Sequence, residues 1–151
     1  MSAMPYPHLQ RRAALAALLG GLTVLLACSK GDPQARLKAT VRALQAAIEA
    51  RNTSAVLGLL DQYFQGSANL DREGIRRLLI ATLLRYQNIK VIAVSSSVRV
   101  DPKAPTLGQV EAQVLLNGAQ GLVPERIEPY AVKMEWRRVD SDWMLGDLRW
   151  D

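Results

Sequence analysis

The chain has little of the residue types that carry most catalytic chemistry. Its 151 residues include one cysteine and one histidine, and aromatic residues make up only 5%. With Cys28 as the only cysteine, an internal disulfide is impossible, and thiolate metal sites and Cys/His nucleophiles are excluded. His8 lies within an N-terminal segment that we expect to be removed. The remaining chain therefore lacks the most common general base at neutral pH.

Long clusters of like charge are also absent from the sequence. The chain has 19 basic and 14 acidic residues, and Arg11 and Arg12 belong to the segment that we expect to be removed. The rest keeps 17 basic residues against 14 acidic ones, and no run of Lys and Arg is longer than two. A nucleic-acid-binding surface concentrates such charge in a stripe or patch. We therefore expect a mixed-charge surface and no nucleic-acid partner.

The N-terminal segment has the layout of an export signal. Arg11 and Arg12 are followed by an uncharged, mostly apolar run over residues 13–27. This run is shorter than the about 20 residues that cross a membrane, and its length fits a signal peptide. It ends in the tetrad Leu25, Leu26, Ala27 and Cys28. The tetrad resembles the bacterial lipobox, and the alternative is an uncleaved anchor helix with a chance cysteine.

The lipobox resemblance implies that the precursor is cut before Cys28 and that lipid is attached to this cysteine. Residues 1–27 would then be a lipoprotein signal peptide and residues 28–32 a lipidated tether. Stable anchoring needs more than one acyl chain, and a lipoprotein cysteine carries at least a diacylglycerol. Ser29 replaces the Asp that favours inner-membrane retention in Gram-negative lipoproteins. We therefore expect a membrane-attached protein of the cell envelope, on the outer membrane and facing the periplasm.

Three helices are predicted in the first half of the remaining chain. Asp32 and Pro33 form a good N-cap and first helical residue, and apolar residues then recur at helical spacing to about residue 51. A short second helix is predicted over residues 54–60. Asp71 is the N-cap of a third helix that reaches about residue 87.

Three basic residues lie off the apolar face of the first helix, namely Arg36, Lys38 and Arg42. A solvated surface explains them. The tether is short, however, because five residues extend at most roughly 17 Å at ~3.3–3.6 Å each. The domain is thus expected to lie near the bilayer, where contact with anionic headgroups is a second explanation.

The pattern changes to that of strands after residue 88. Val, Ile and Ser dominate the first predicted strand, and the second alternates apolar and polar residues. Residues 117–129 contain two Gly and two Pro and are predicted to be a long connection. The four predicted strands cover residues 89–100, 106–116, 130–139 and 143–150. The fold class is therefore α+β, with three N-terminal helices packed on a curved four-stranded antiparallel sheet.

This layout resembles the nuclear transport factor 2-like superfamily over residues 33–151, which we predict to be one domain. The resemblance is carried by the long first helix, the short second helix and the third helix opened by Asp71 to Gly74. A final hairpin with Trp143 soon after the polar turn is also typical. The resemblance implies a cone in which a curved sheet wraps around the helices and leaves a pocket at the open end. This fold hosts isomerases, dehydratases, ligand binders and non-catalytic dimers.

Some enzymes of this superfamily use a carboxylate and a tyrosine in the pocket. Asp61 and Glu111 are the candidate acids here, with Tyr63 as a candidate partner, but the ketosteroid-isomerase pattern cannot be matched residue by residue. Asp61 can equally be a surface charge at a helix end, and Glu111 a solvent-facing strand residue. The aromatic residues can belong to the core or to the pocket. The predicted pocket residues are Tyr63, Tyr86, Tyr130 and Trp136.

The residues favour a binding module over an enzyme. The first hypothesis is a non-catalytic lipoprotein that binds an envelope protein partner or a small apolar ligand. The alternative is a small lyase or isomerase that uses a carboxylate and a tyrosine. A homodimer through the open sheet face is a third possibility. No cofactor or metal is expected, because the nearest acidic pair, Asp140 and Asp142, is explained by a hairpin turn.

Overall fold

A computed structural model describes residues 31–120 and 123–151. The predicted signal peptide, the lipobox and Cys28 lie outside these residues. The described part forms three helices and five strands of α+β type. In chain order the elements are α1 (Pro33–Glu49), α2 (Thr53–Gly58), β1 (Leu60–Gly66), a short 3-10 helix (Ser67–Asn69), α3 (Arg72–Arg85), β2 (Asn88–Asp101), β3 (Ala104–Gln120), β4 (Val123–Val139) and β5 (Asp142–Trp150).

The strands form one mixed sheet in the order β1-β5-β4-β3-β2. Strands β2 to β5 are a continuous antiparallel meander, whereas β1 pairs in parallel with β5. β2 and β1 are the two edges of the sheet. Long strands with register shifts, as between Ala93 and Ser95 in β2, bend the sheet towards the helices.

Each α-helix begins at a side chain that caps its first turn. Asp32 accepts a hydrogen bond from the Gln34 amide in α1, Asn52 from the Ala55 amide in α2, and Asp71 from the Gly74 amide in α3. The caps of α1 and α3 were predicted from the sequence. Among the described residues, no helix combines the length and apolarity required to cross a bilayer.

Arg51 joins the end of α1 to the end of α3. Its guanidinium donates to the carbonyl oxygens of Leu83 at 2.5 Å and Gln87 at 2.8 Å. The Leu83 carbonyl belongs to the last turn of α3, where backbone acceptors have no partner within the helix, and Gln87 lies two residues beyond the helix. Because a cation also complements the negative end of the helix dipole, Arg51 stabilises this terminus.

The tightly packed core lies where α1 and β1 meet the start of β3 and the β4–β5 hairpin. Leu37 and Trp136 are fully buried, and Phe64, Val110 and Leu145 are nearly so. Gly108 makes this packing possible, because a Cβ atom there would overlap the Cδ2 atom of Leu37.

The prediction of four strands was wrong, because β1 is a fifth. Its irregular pairing explains the error. The register with β5 shifts between Leu60 and Gln65, so the buried side chains do not alternate. Leu60 also continues the helical spacing of α2, and a period-two pattern is absent.

The predicted long connection over residues 117–129 was also wrong. Most of it belongs to β3 and β4, which pair as far as Gln120 with Val123. Proline is disfavoured inside a sheet, but β4 pairs with β5 only from Val132 onwards. Within residues 31–120 and 123–151, no strand pairs with this side of β4 before Ala131, so Pro124 and Pro129 are tolerated there.

Candidate functional site

A cavity of about 1080 Å³ lies between the helices and the concave face of the sheet. This volume is slightly above that of most small-molecule pockets, which are usually about 300–1,000 Å³. Side chains that alternate along β3 line the cavity, as the sequence predicted. They are Val110, Ala112, Val114 and Leu116, and Asn117 and Gly118 line it further along the strand.

The two long helices supply the opposite wall. α1 contributes Val41, Leu44 and Ile48, which lie on one face of the helix at i, i+3 and i+7. α3 contributes a second stripe at the same kind of spacing. Its members are Ile75, Leu78, Leu79, Thr82 and Leu83. Both helices were predicted to present an apolar face, and the wall that these faces form is almost entirely apolar.

Tyr86 and Gly118 meet at one part of the cavity wall. A Cβ atom on Gly118 would lie only 2.9 Å from Cδ1 of Tyr86, so glycine is needed for the ring to approach the strand this closely. Tyr86 directly follows Arg85, the last residue of α3, and the Arg85 guanidinium lies 5.5 Å from the Tyr86 ring centroid. The packing of Tyr86 on Gly118 joins the end of α3 to the sheet beside the cavity.

Glu128 and Tyr130 are a polar pair in the apolar wall. They are two residues apart on β4 and therefore on the same face, and both line the cavity. The Tyr130 hydroxyl donates a hydrogen bond of 2.5 Å to Oε2 of Glu128. Such a short contact is typical of a hydroxyl that donates to a carboxylate.

Two side chains of α1 bind the backbone of Val91 at the β2 edge. Gln45 Nε2 donates to the Val91 carbonyl oxygen at 2.8 Å, and Glu49 Oε1 accepts from the Val91 amide at 2.9 Å. The hydrogen bond from this amide lowers the pKa of Glu49, and Lys90, 3.4 Å away, acts in the same direction. The contacts fix α1 to the sheet and close the cavity at this point.

The candidate acids of the sequence lie outside the cavity. Asp61 is on β1 and is buried, where its Oδ1 accepts from the Tyr63 amide at 2.8 Å and lies 3.2 Å from Nη2 of Arg137. Glu111 is exposed on the other face of β3, 3.6 Å from Nη2 of Arg99. Neither carboxylate therefore shares a site with a tyrosine of the cavity.

The predicted pocket aromatic residues have three different locations. Tyr86 and Tyr130 line the cavity. Tyr63 is 70% exposed, and Trp136 is fully buried in the core. Trp150, which was not singled out in the sequence, also contributes to the wall.

Sequence reasoning missed Glu128 as a site residue because residues 117–129 read as a connection. A signal was present, since Glu128, Tyr130, Val132 and Met134 keep the period of two. Pro129 within this stretch hid it. Across the described ranges, no group of three or more His, Cys, Asp or Glu side chains is placed to hold a metal ion.

No protein-family model matches the chain, and no curated protein matches its sequence. Solved structures do match. Bd1075 from Bdellovibrio bacteriovorus aligns with a TM-score of 0.67 at 10% identity, over 76% of this chain and 40% of that one. This chain thus spans less than half of Bd1075.

Two further neighbours match over most of both chains. A nuclear transport factor 2-like protein of unknown function from Pseudomonas putida KT2440 has a TM-score of 0.67 at 8% identity, over 78% of this chain and 84% of that one. A protein of unknown function with a cystatin-like fold from Nostoc punctiforme has a TM-score of 0.61 at 12% identity, over 77% and 87%. The chain therefore has the nuclear transport factor 2-like fold, as its sequence predicted.

Proposed function

We propose that this chain is a lipid-anchored protein of the bacterial envelope whose cone binds an apolar ligand and does not transform it. The observation that carries the binding proposal is the cavity of about 1080 Å³ with its largely apolar wall. Transfer of apolar surface from water into such a cavity is favourable by roughly 25 cal/mol per Å². Of the two partners that the sequence left open, the cavity favours a ligand over a protein.

The anchor is proposed from the sequence alone. Cys28 ends the lipobox-like tetrad, and α1 begins only five residues later at Pro33. Lipid on Cys28 would hold the start of α1, and with it the domain, near a membrane, which is a source of apolar molecules. In a Gram-negative host, Ser29 in place of Asp favours attachment to the outer membrane.

The anchor is tested by the intact mass and the membrane partition of Cys28→Ala. We expect the variant to lack the lipid mass and to leave the membrane fraction, whereas the matched control Ser29→Ala keeps both properties. Ser29→Asp should move the lipidated protein to the inner membrane. Unchanged membrane partition of Cys28→Ala, with no lipid mass in the parent protein, would contradict the anchor.

Ligand binding is tested by quenching of tryptophan fluorescence, because Trp150 lines the cavity. The probe is 9,10-dibromostearyl alcohol, which is neutral and carries bromine quenchers in its chain. The full lipidated protein is placed in phosphatidylcholine vesicles, and Trp150→Phe serves as the reference without the reporter. We expect saturable quenching of the parent that Trp150→Phe largely loses. Equal, non-saturating quenching of both proteins would contradict the proposal.

A pocket lyase or isomerase is the second candidate function. One observation favours it, namely the Glu128–Tyr130 hydrogen bond inside the cavity. A carboxylate beside a tyrosine could move a proton on a bound ligand. This pair would take the place of Asp61 and Glu111, which do not line the cavity.

The two functions are separated by what happens to a natural ligand. We expect a ligand recovered from the parent protein to be chemically the same as that recovered from Glu128→Gln and Tyr130→Phe. A ligand that is altered by the parent protein, and unaltered by both variants, would favour the enzyme.

A further inference from the structure

Two cations lie at the rim of the cavity. Lys38 and Arg42 are four residues apart on α1, both are exposed, and both line the cavity. The third basic residue of this helix, Arg36, is already bound, because its Nη2 donates to the Ser141 carbonyl oxygen at 2.7 Å. Among the described residues, Lys38 and Arg42 have no carboxylate within ion-pair distance.

A hydroxyl group lies on the strand that packs against α1. Ser96 is on β2, lines the cavity and pairs with Ala112, whose side chain faces the cavity, whereas Ser97 pairs with Glu111 on the outer face. The side of the cavity between α1 and β2 thus offers two cations and one hydroxyl group. These are the donors that bind a carboxylate or a phosphate group.

The acidic group of the cavity lies elsewhere. Glu128 is on β4, two strands away from β2 in the sheet order, which corresponds to about 10 Å at ~4.8 Å between strands. An anionic head group would be attracted to the α1–β2 side, where the two cations lie. The charges therefore orient a ligand with one anionic end.

The apolar wall between these groups is long. The part of β3 that lines the cavity runs from Val110 to Gly118, which is roughly 26 Å at ~3.3 Å per residue. Apolar side chains from both long helices face it along this length. An extended hydrocarbon chain fits such a wall better than a compact ring system.

We infer that the ligand is a long-chain anionic amphiphile. Its head group binds Lys38 and Arg42, with Ser96 as a further donor, and its hydrocarbon chain lies along β3. This inference rests on the proposed function, because it names the class of ligand for the same cavity.

The test compares two probes that share one chain and differ in the head group. 9,10-Dibromostearate is the anionic probe, and 9,10-dibromostearyl alcohol is the neutral one. The full lipidated protein is used in phosphatidylcholine vesicles, so that no anionic lipid competes. The variant is Lys38→Gln/Arg42→Gln. The matched control is Arg77→Gln/Lys103→Gln, which also removes two exposed cations but none that lines the cavity.

We expect the double variant at the rim to bind the anionic probe about tenfold more weakly than the parent does, because it loses charge-assisted hydrogen bonds to the head group. Binding of the neutral probe should change less than twofold, and the control variant should bind both probes as the parent does. High salt should weaken binding of the anionic probe alone, because it screens exposed charges.

Three outcomes are decisive. A selective loss of the anionic probe in the rim variant supports the inference. Saturable binding of both probes that the rim variant leaves unchanged overturns the inference, while the proposed binding function stands. Absence of saturable quenching by either probe overturns the proposed function itself. Unfolding midpoints of all variants, measured in parallel, exclude loss of the fold as the cause.

Discussion

The two ends of the domain interior are built from the same kinds of side chain but are packed differently. Around Leu37, Trp136 and Trp143, apolar side chains are almost completely buried, and Gly108 leaves no room for even one added methyl group. Around Leu79 and Tyr86, side chains of the same chemical type line a cavity of about 1080 Å³.

The difference between the ends lies in how their elements meet. At the packed end, α1 touches the sheet directly, since Leu37 contacts the strand at Gly108. At the cavity end, α1 reaches the β2 edge of the sheet through Gln45 and Glu49, and α3 contacts the other edge at β1, while Tyr86 after its end packs on Gly118. Contacts at the margins thus hold the walls apart. The packed end supplies stability, and we propose that the cavity end supplies function.

The largest expected effect comes from removing a side chain at the packed end. Leu37→Ala should lower the free energy of unfolding by about 2–5 kcal/mol, because the removed atoms leave a hole that close packing cannot fill. Leu79→Ala removes the same atoms from a half-buried side chain that already faces the cavity, so its loss should be less than about 2 kcal/mol. Urea denaturation of both variants measures the difference. Equal losses of unfolding free energy in the two variants would contradict the difference in packing between the two ends.

An added methyl group should also act differently at two glycines. Gly108→Ala would place its Cβ against Leu37 and should cost about 1–3 kcal/mol by overpacking. Gly58→Ala is the control, because nothing lies within 4 Å of its added Cβ atom. That variant should be neutral or more stable by up to about 1 kcal/mol, since alanine favours the helix. Thermal unfolding compares them, and a neutral Gly108→Ala would contradict the close contact.

The contact at the sheet edge should contribute less, and its contribution should depend on pH. Glu49→Ala removes the acceptor of the Val91 amide and should cost about 1 kcal/mol at pH 7. The pKa of Glu49 is below its ordinary 4.5 in the folded protein. Its stabilisation is therefore fully present above that value and is lost as the pH falls through the lower folded pKa.

The pH dependence is checked by urea denaturation of the parent and Glu49→Ala at pH 7 and at pH 3. The difference between the two proteins should shrink at the lower pH. Glu111→Ala, which removes an exposed carboxylate, should change stability less at pH 7. If Glu49→Ala lowers the free energy of unfolding equally at both pH values, this role of the carboxylate is contradicted.

The sequence predicted the elements whose patterns are regular. Asp32 and Asp71 mark the starts of α1 and α3, and the alternation of Val110 to Leu116 predicted the cavity face of β3. β1 was missed because a register shift after Leu60 removes its alternation. Such irregular strands are specified by pairing with distant residues, which local patterns do not contain.

The candidate site was harder to predict than the fold. Four aromatic residues were predicted to line the pocket, and of these the structure places Tyr86 and Tyr130 at the cavity. Which acid shares the cavity depends on where β4 begins. Because Pro124 and Pro129 suggested a connection, Glu128 was overlooked. The role of Lys38 and Arg42 likewise depends on the cavity, which only the three-dimensional packing of α1 against β2 creates.

The most direct test of a ligand-binding cavity is to fill it without unfolding the protein. Val114 lines the middle of the cavity, and Val114→Phe would add a ring to it. Quenching by 9,10-dibromostearyl alcohol and the unfolding midpoint are measured together for this variant and the parent. We predict that Val114→Phe keeps the midpoint within a few degrees and loses saturable quenching. A folded Val114→Phe that binds the probe as the parent does would contradict the account.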